Sequence, residues 1–478
     1  MRLDTAPSTL DWTGQVNVSD AAIVENICEG LYGFNHPEEK LVPAIASSVK
    51  KSKDLTEYTF QIRDDAKWSD GRTIYAKDFL DGWQRVLSPQ STSIYSRYLF
   101  DIVNAREYYS KKITNFDEVG IRASSDKTLV VKFNHPQKNW EVTTAFWPLY
   151  PVRKDLIEKF GNNWWRAGTL LSTGPFVFSG FEPGKRAVLS RNPYYKKSNS
   201  NVDQVEIEFV LDLNEAYQKY QKKGYPFLSG VGIQKYFKDK DYHSIPLLRH
   251  YAIAVNTERF PLNNKFFRLA VLSTIDRKSM MPIEYSTFTR ALTLIPSSVL
   301  SENDDLSVSF DLNKAKEYLK QSGVRLEKGF KITFLTFLNE PFYSISKRIA
   351  DQIEKGLGIA VDTLAYQSQE FEAFSSLNEY NILMTSWTAK VRSPEDFLTP
   401  YSTAYSPSNR THFSSQEYDE AIEKGEYKKA QLIIAKENAA IHPLFFESSG
   451  FLTHSSIKNL YFDQRGFPVI KDAVLSLK

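Results

Sequence analysis

The chain has 478 residues, of which 42% are hydrophobic and 24% are charged, and its formal net charge at pH 7 is +3. A chain of this length exceeds one hydrophobic core, so we expect a folded globular protein with about two to four domains. Lysine and arginine are interspersed with aspartate and glutamate and form no basic block, which gives no electrostatic support for nucleic-acid binding. No tract is long and apolar enough to span a membrane.

Cys28, the only cysteine, lies in the segment AAIVENICEGLYGF. Ile23, Ile27 and Leu31 recur there at helical spacing, which predicts a buried helix and an inert core thiol. A single cysteine excludes an internal disulfide and a cysteine-based metal cage. No secretory signal precedes the first residues, so we expect either a cytosolic protein or one whose leader has been removed.

Strand and helix patterns alternate along the rest of the chain. They predict a strand at EYTFQI, a helix over Phe79–Leu87, a hairpin at EVGIRASSDKTLVVKFN and a Pro-Gly turn in GFEPGKRAVLSR. The segment KITFLTFLNEPFYSISKRIADQIEKGLGIAVDTLAY predicts a βαβ unit, with a helix over residues 344–355 that ends at Gly356. This alternation predicts an α/β fold.

Catalytic and metal-binding motifs are absent from the sequence. The seven histidines form no H-E-x-x-H or other close pair, and no G-x-S-x-G elbow occurs. The segment SGFEPGK has Ser179 where a phosphate loop needs glycine, and Arg186 where it needs a hydroxyl for magnesium, which favours a hairpin turn. We therefore predict no enzyme, no cofactor and no metal site.

Several segments match one family in order and at the expected spacing. They are VSDAAIVENICEGLYGF, YTFQIRDDAKWSDGRTIYAKDFLDGWQRVL, IEKFGNNWW, TGPFVFSGFEPGKRAVLSRNPYY, VNTERFPLNNKFFRLAVLSTIDR and SWTAKVRSPEDFL. Together they resemble the periplasmic oligopeptide-binding protein family, the family 5 solute-binding proteins of peptide ABC importers. The resemblance runs from about Leu10 to the C-terminus.

This resemblance implies a two-lobe α/β clamp of the periplasmic-binding-protein type, with three domains (type II, peptide-binding class). The first domain combines residues 1–30, 156–248 and 450–478, an additional domain of the same lobe covers 31–155, and the other lobe covers 249–449. The implied function is to bind an extended peptide-like ligand between the lobes and deliver it to the membrane permease of an ABC importer. The implied location is the periplasm or, as a lipoprotein, the cell surface, and we expect a monomer.

Main-chain groups hold the ligand backbone in such relatives, as when a strand is added to a sheet. By resemblance, these groups belong here to residues 16–18 (Val16, Asn17 and Val18) and to the strand through Trp387, Thr388 and Ala389. Tyr95 corresponds to a ligand-contacting tyrosine of the family, and Tyr251 is a further candidate. Because main-chain pairing is indifferent to side chains, this part of the site tolerates sequence change.

The charged anchors differ from those of the family. Lys390 stands where relatives carry the aspartate that pairs with the free amino terminus of the peptide, so we expect an ammonium group to be rejected there. Tyr343, Ser375 and Met384 stand where relatives have a histidine and two arginines that receive the carboxylate. Arg249 and Thr388 occupy positions that form a disulfide in some relatives.

These replacements leave several alternatives open. Arg249 and Lys390 are expected to lie close together and bind an anion. Lys390 turned outward, toward solvent or toward Glu395 or Asp396, would instead leave a neutral cleft. Ordinary peptides held by main-chain contacts alone, and a non-transport scaffold or sensor that reuses the clamp, are further alternatives.

Overall fold

The computed structural model describes residues 1–14, 18–36, 38–91, 93, 95–232, 236–280, 287–389, 392–403 and 409–476. The chain divides into two compact units. The first contains Met1–Val231 and Phe451–Lys478, and the second contains Gly232–Gly450. The division into three domains with the bounds given above stays a prediction.

The first unit contains both strands and helices. Its strands are β1 (Arg2–Leu3), β2 (Tyr32–Asn35), β3 (Lys40–Pro43), β4 (Ala46–Lys51), β5 (Glu57–Ile62), β6 (Ile121–Ser125), β7 (Thr128–Lys132), β8 (Phe176–Glu182), β9 (Arg186–Arg191), β10 (Gln204–Phe209) and β11 (Phe227–Ser229). Its helices are α1 (Val18–Ile27), α2 (Ala76–Leu87), α3 (Ala105–Tyr109), α4 (Lys154–Phe160) and α5 (Leu213–Gln221). Short 3-10 turns cover Ser96–Leu99, Phe116–Glu118, Trp140–Ala145, Trp147–Leu149 and Gly161–Asn163.

Two four-stranded sheets contain most of these strands, and β2 pairs with β3 separately. One has the strand order β1-β10-β9-β8, and the other has the order β4-β5-β7-β6. The predicted strand at EYTFQI, the helix ending at Leu87, the hairpin of β6 and β7 and the Pro-Gly turn between β8 and β9 are confirmed. Cys28 follows α1 and is buried, as predicted, and burial raises the pKa of its thiol to about 12.

Helix α2 begins at a buried carboxylate that is fully engaged. The Asp78 carboxylate accepts hydrogen bonds from the Trp68 indole at 3.0 Å and from the Tyr75 amide at 3.0 Å, and it pairs with Arg72. A buried acid is tolerated when its oxygens are satisfied in this way. In the segment WSDGRTIYAKD, the tryptophan, arginine, tyrosine and last aspartate are therefore spaced to form one local hydrogen-bonded structure.

The second unit is built on a central sheet. Its strands are β12 (Tyr242–Val255), β13 (Phe288–Arg290), β14 (Lys331–Phe337), β15 (Ala360–Tyr366), β16 (Ile382–Thr388) and β17 (Ile441–Thr453), whose last three residues belong to the first unit and pair there with β11. Its helices are α6 (Lys265–Leu272), α7 (Leu312–Ser322), α8 (Phe342–Leu357), α9 (Ser368–Ser376), α10 (Pro394–Leu398), α11 (Gln416–Glu423) and α12 (Tyr427–Gln431), with a 3-10 turn at Thr399–Tyr401 and a π-helical segment at Leu432–Glu437. In the first unit, the C-terminal segment adds β18 (Ile457–Lys458), β19 (Tyr461–Phe462), β20 (Pro468–Val469) and β21 (Val474–Leu475).

The strand order in this sheet is β17-β12-β16-β14-β15, with β13 paired to β17. β14 and β15 are parallel and α8 connects them, so the predicted βαβ unit is confirmed. The predicted helix end at Gly356 is wrong. Gly356 lies inside α8, where a Cβ atom would come within 2.7 Å of the Thr274 side chain, and the helix ends at Gly358, which adopts a left-handed conformation (φ 69°).

The fold is therefore the predicted α/β class. Large apolar side chains such as Trp83 and Phe267 are fully buried within their own units. Among the described residues, no helix has the length and apolarity needed to cross a bilayer.

Gly30 provides a test of packing in the first unit. A Cβ atom at Gly30 would lie 1.9 Å from the Thr144 carbonyl oxygen, whereas one at Gly33 would lie 3.6 Å from the Ala44 Cβ atom, an ordinary contact. We expect Gly30→Ala to lower the free energy of unfolding by about 1–3 kcal/mol or more, because backbone has to move. Thermal denaturation of Gly30→Ala and of the control Gly33→Ala measures this, and equal midpoints for the two variants would contradict it.

Candidate functional site

The candidate site begins at the edge of strand β16. One edge pairs with β12 along the whole strand, from Val255 opposite Ile382 to Arg249 opposite Thr388. The other edge pairs with β14 only at residues 382 and 383. In the part of the chain that the structure describes, no strand covers residues 384–388 on this side, which we call the open edge.

The direction of the main-chain groups follows from one hydrogen bond. The Ala389 amide donates to the Leu248 carbonyl of β12 at 2.8 Å. Because main-chain groups alternate along a strand, those of Trp387 also point to β12, and those of Ser386 and Thr388 point to the open edge. Of the predicted main-chain contacts in this strand, Thr388 is therefore placed to serve an added strand.

Four side chains on three neighbouring strands form a polar corner: Thr388 on β16, Arg249 and Tyr251 on β12, and Glu447 on β17. The Arg249 Nε atom donates to Thr388 Oγ1 at 2.8 Å, and its Nη1 atom donates to Glu447 Oε2 at 3.0 Å. The Tyr251 hydroxyl also donates to Glu447 Oε2, at 2.9 Å. Arg249 and Thr388 are directly paired across β12 and β16.

Neighbouring groups in this corner set the protonation of Arg249 and Tyr251. Burial lowers the pKa of Arg249, but Tyr251 and Glu447 outweigh it, so the pKa is raised and the guanidinium stays charged. Burial raises the pKa of Tyr251, which remains a neutral donor. Arg249 was expected to act as a cation for anionic ligands, and here its charge is balanced by Glu447.

Aromatic rings pack beneath the polar corner, and we call Tyr251, Phe288, Phe342 and Phe445 the aromatic floor. The Tyr251 ring centroid lies 4.8 Å from that of Phe342 and 4.9 Å from that of Phe445, in stacked arrangements. Phe288 meets Phe445 edge-on at 4.9 Å. Such pairs stabilise a fixed arrangement of rings, so the floor holds Tyr251 in position.

The opposite face of the same strands is structural. Trp387 is half-buried there, and its indole donates to the Asp396 carbonyl at 2.7 Å. His250, paired with Trp387, is fully buried, with one ring nitrogen 2.7 Å from the Leu294 carbonyl and the other 2.8 Å from the Tyr401 hydroxyl. The Trp387 and Ala389 side chains therefore lie on the face away from the polar corner.

The three residues predicted to stand at the carboxylate-binding positions, Tyr343, Ser375 and Met384, lie on three different elements. Met384 is fully buried in the core beside Ile253, Ser375 is fully buried on α9, and Tyr343 is half-buried in the first turn of α8. None is a cation. Their contact with a ligand stays a prediction.

Tyr95 lies in the first unit and is half-buried. Its ring stacks on Tyr98 at 6.3 Å and meets Trp147 edge-on at 5.9 Å, and burial raises its pKa to about 12. Val18 begins helix α1. Val16, Asn17 and Lys390 lie outside the described residues, so their predicted roles stay predictions.

Sequence reasoning missed Glu447 and Ser386. Glu447 interrupts the apolar run of HPLFFESSG on a strand, and a carboxylate at such a position is a signal for a buried or functional partner. Ser386 was overlooked because its contribution is main-chain, and its side chain is exposed. In the described ranges, no group of histidine, cysteine and acidic side chains has the arrangement of a metal site.

An uncovered strand edge is a surface to which an extended chain can add as a strand. The family model described as bacterial extracellular solute-binding proteins, family 5 Middle, matches residues 40–409. The chain belongs to this family of extracellular solute-binding proteins.

Individual relatives agree with this assignment. The periplasmic murein peptide-binding protein MppA of Escherichia coli is 27% identical, over 97% of this chain and 89% of MppA. The probable deoxycholate-binding periplasmic protein YgiS of the same species is 26% identical, over 92% of this chain and 86% of YgiS. The substrate-binding domain of an oligopeptide ABC transporter from Bacillus anthracis has a solved structure with a TM-score of 0.76 and 25% identity, covering 100% of this chain and 98% of that one.

The buried His250 behind the site predicts a pH dependence of stability. Burial lowers its pKa to about 4, whereas the pKa of an exposed histidine is about 6.5. Between these values the unfolded chain binds the proton and the folded chain does not, so stability is complete above pH ~6.5 and falls as the pH drops toward ~4. Burial also lowers the pKa of His442, which adds to the same effect.

We expect each such histidine to contribute a slope of about 1.4 kcal/mol per pH unit within this window. Urea unfolding between pH 4 and pH 7 should show a shallower slope for His250→Gln than for the unchanged chain. His243→Gln, at an exposed position of the same strand, is the matched control for the His-to-Gln substitution. An unchanged slope in His250→Gln would exclude His250 as the source.

Proposed function

We propose that this protein is the extracytoplasmic binding component of a peptide-type ABC importer and holds an extended peptide-like ligand through its main chain. The named relatives include a murein peptide-binding protein and the substrate-binding domain of an oligopeptide transporter, together with a probable deoxycholate-binding protein. The partners are the membrane permease components, and the location is the periplasm or the cell surface. The chain acts by binding and performs no chemistry on its ligand.

The open edge is the observation that carries this proposal. It offers alternating amide and carbonyl groups of Ser386 and Thr388, which an extended peptide pairs with in the manner of an added strand. The pairing is independent of ligand side chains. A carrier for peptides of varied sequence needs this property.

The ends of the ligand are recognised differently from those in oligopeptide-binding relatives. Lys390 replaces an acid, and two like charges about 4 Å apart repel by roughly 4 kcal/mol at an effective dielectric of 20. A free amino terminus is therefore not the anchor. We infer that the ligands are blocked or modified peptides or small anionic solutes.

Ligand binding is tested first with the protein as purified. Native mass spectrometry should release copurifying peptide-like molecules that lack a free amino terminus. A defined peptide should then lose affinity when the amides facing the open edge are N-methylated, while methylation of the alternate amides should have little effect. Equal affinity of both methylated peptides would refute main-chain pairing.

Lys390→Asp tests the changed anchor. An acid at this position should improve binding of a free-amine tripeptide by about tenfold or more, because a charge-assisted hydrogen bond contributes about 1.5–3 kcal/mol. Isothermal titration calorimetry measures this. Lys390→Met removes the cation without adding an acid, so it separates relief of repulsion from a new attraction, and the lack of any gain in Lys390→Asp would argue against the proposal.

A further inference from the structure

We propose that Arg249 and Glu447 together recognise an uncharged amide at the end of the ligand, so that peptides with an acylated amino end are preferred. This inference rests on the proposed function and names its substrate class. It assigns a binding role to Glu447, which takes no part in the main-chain contacts described above.

Some hydrogen-bonding atoms of the polar corner remain available to a ligand. Glu447 Oε2 accepts from Arg249 and Tyr251, and Arg249 uses Nε and Nη1. Among the described residues, Glu447 Oε1 and Arg249 Nη2 take part in no hydrogen bond, and the two side chains are 22% and 29% exposed. The corner therefore offers the Glu447 Oε1 acceptor and the remaining N–H donors of Arg249 to a ligand.

The opposite charges of Arg249 and Glu447 balance each other. The carboxylate and the guanidinium are 3.0 Å apart, so their fields largely cancel for a group placed beside both. An ammonium group gains from Glu447 and loses against Arg249, and a carboxylate does the reverse. A neutral amide has a donor N–H and an acceptor C=O and suffers neither repulsion, so it matches the pair.

Aromatic rings surround Tyr251 in the polar corner. Tyr251 belongs to both the polar corner and the aromatic floor, and its floor neighbour Phe288 is only half-buried. A small acyl group gains from contact with such rings, whereas a hydrated ammonium has to give up water there. The floor and the ion pair thus favour the same chemical group.

The experiment uses three tetrapeptide libraries of identical random sequence, with free, N-acetylated and N-succinylated amino ends, offered together to the full chain at equal concentration. Native mass spectrometry counts the peptides retained. The unchanged protein should retain acetylated peptides in about tenfold excess over either other library, as expected for one hydrogen bond to a charged group. Glu447→Gln keeps the shape of the side chain but leaves Arg249 unbalanced, so its preference should shift toward succinylated peptides.

The matched control is Glu182→Gln, which removes a carboxylate from an exposed ion pair with Arg186 in the first unit and should leave all ratios unchanged. A gain of succinylated peptides cannot result from misfolding, so stability losses do not imitate the expected result. Equal retention of free and acetylated peptides by the unchanged protein, or an unaltered acetyl-to-succinyl ratio in Glu447→Gln, would overturn this inference and leave the proposed function standing. Retention of none of the libraries would overturn the proposed function itself.

Discussion

The pairing of β12 with β16 is the interaction on which the rest of the site depends. It runs without interruption from residue 382 to residue 388, while β14 pairs with the same strand for only two residues. The long pairing fixes the direction of every side chain and amide in β16. The short pairing leaves amides at the opposite edge without a strand partner, and an unpaired edge is a template for another extended chain.

The two faces of these strands have separate tasks because side chains alternate. His250, Trp387 and Ala389 point to a face where burial and hydrogen bonds fix the strands in place. Arg249 and Thr388 point to the other, where polar atoms remain accessible. A rigid back face allows the front face to keep partly exposed charges in a defined geometry, which a binding site requires.

Local patterns in the sequence predicted local structure well. The βαβ unit, the β6–β7 hairpin and the burial of Cys28 follow from the spacing of apolar residues within short segments of the sequence. The end of α8 did not follow, because Gly356 is required by a tertiary contact with Thr274 and not by a turn. Glu447 was out of reach for the same reason: its partners Tyr251 and Arg249 are 196 and 198 residues away along the chain.

The Arg249–Glu447 pair is hard to explain by stability. Partly exposed ion pairs contribute about 0–1 kcal/mol, and drawing two charges out of water offsets much of their attraction. An apolar pair would pack on the aromatic floor without that cost. The ligand selection proposed above would explain an ion pair kept at the edge of the floor: in that proposal, balanced charges discriminate against both charged ends of a peptide while retaining the ability to form hydrogen bonds.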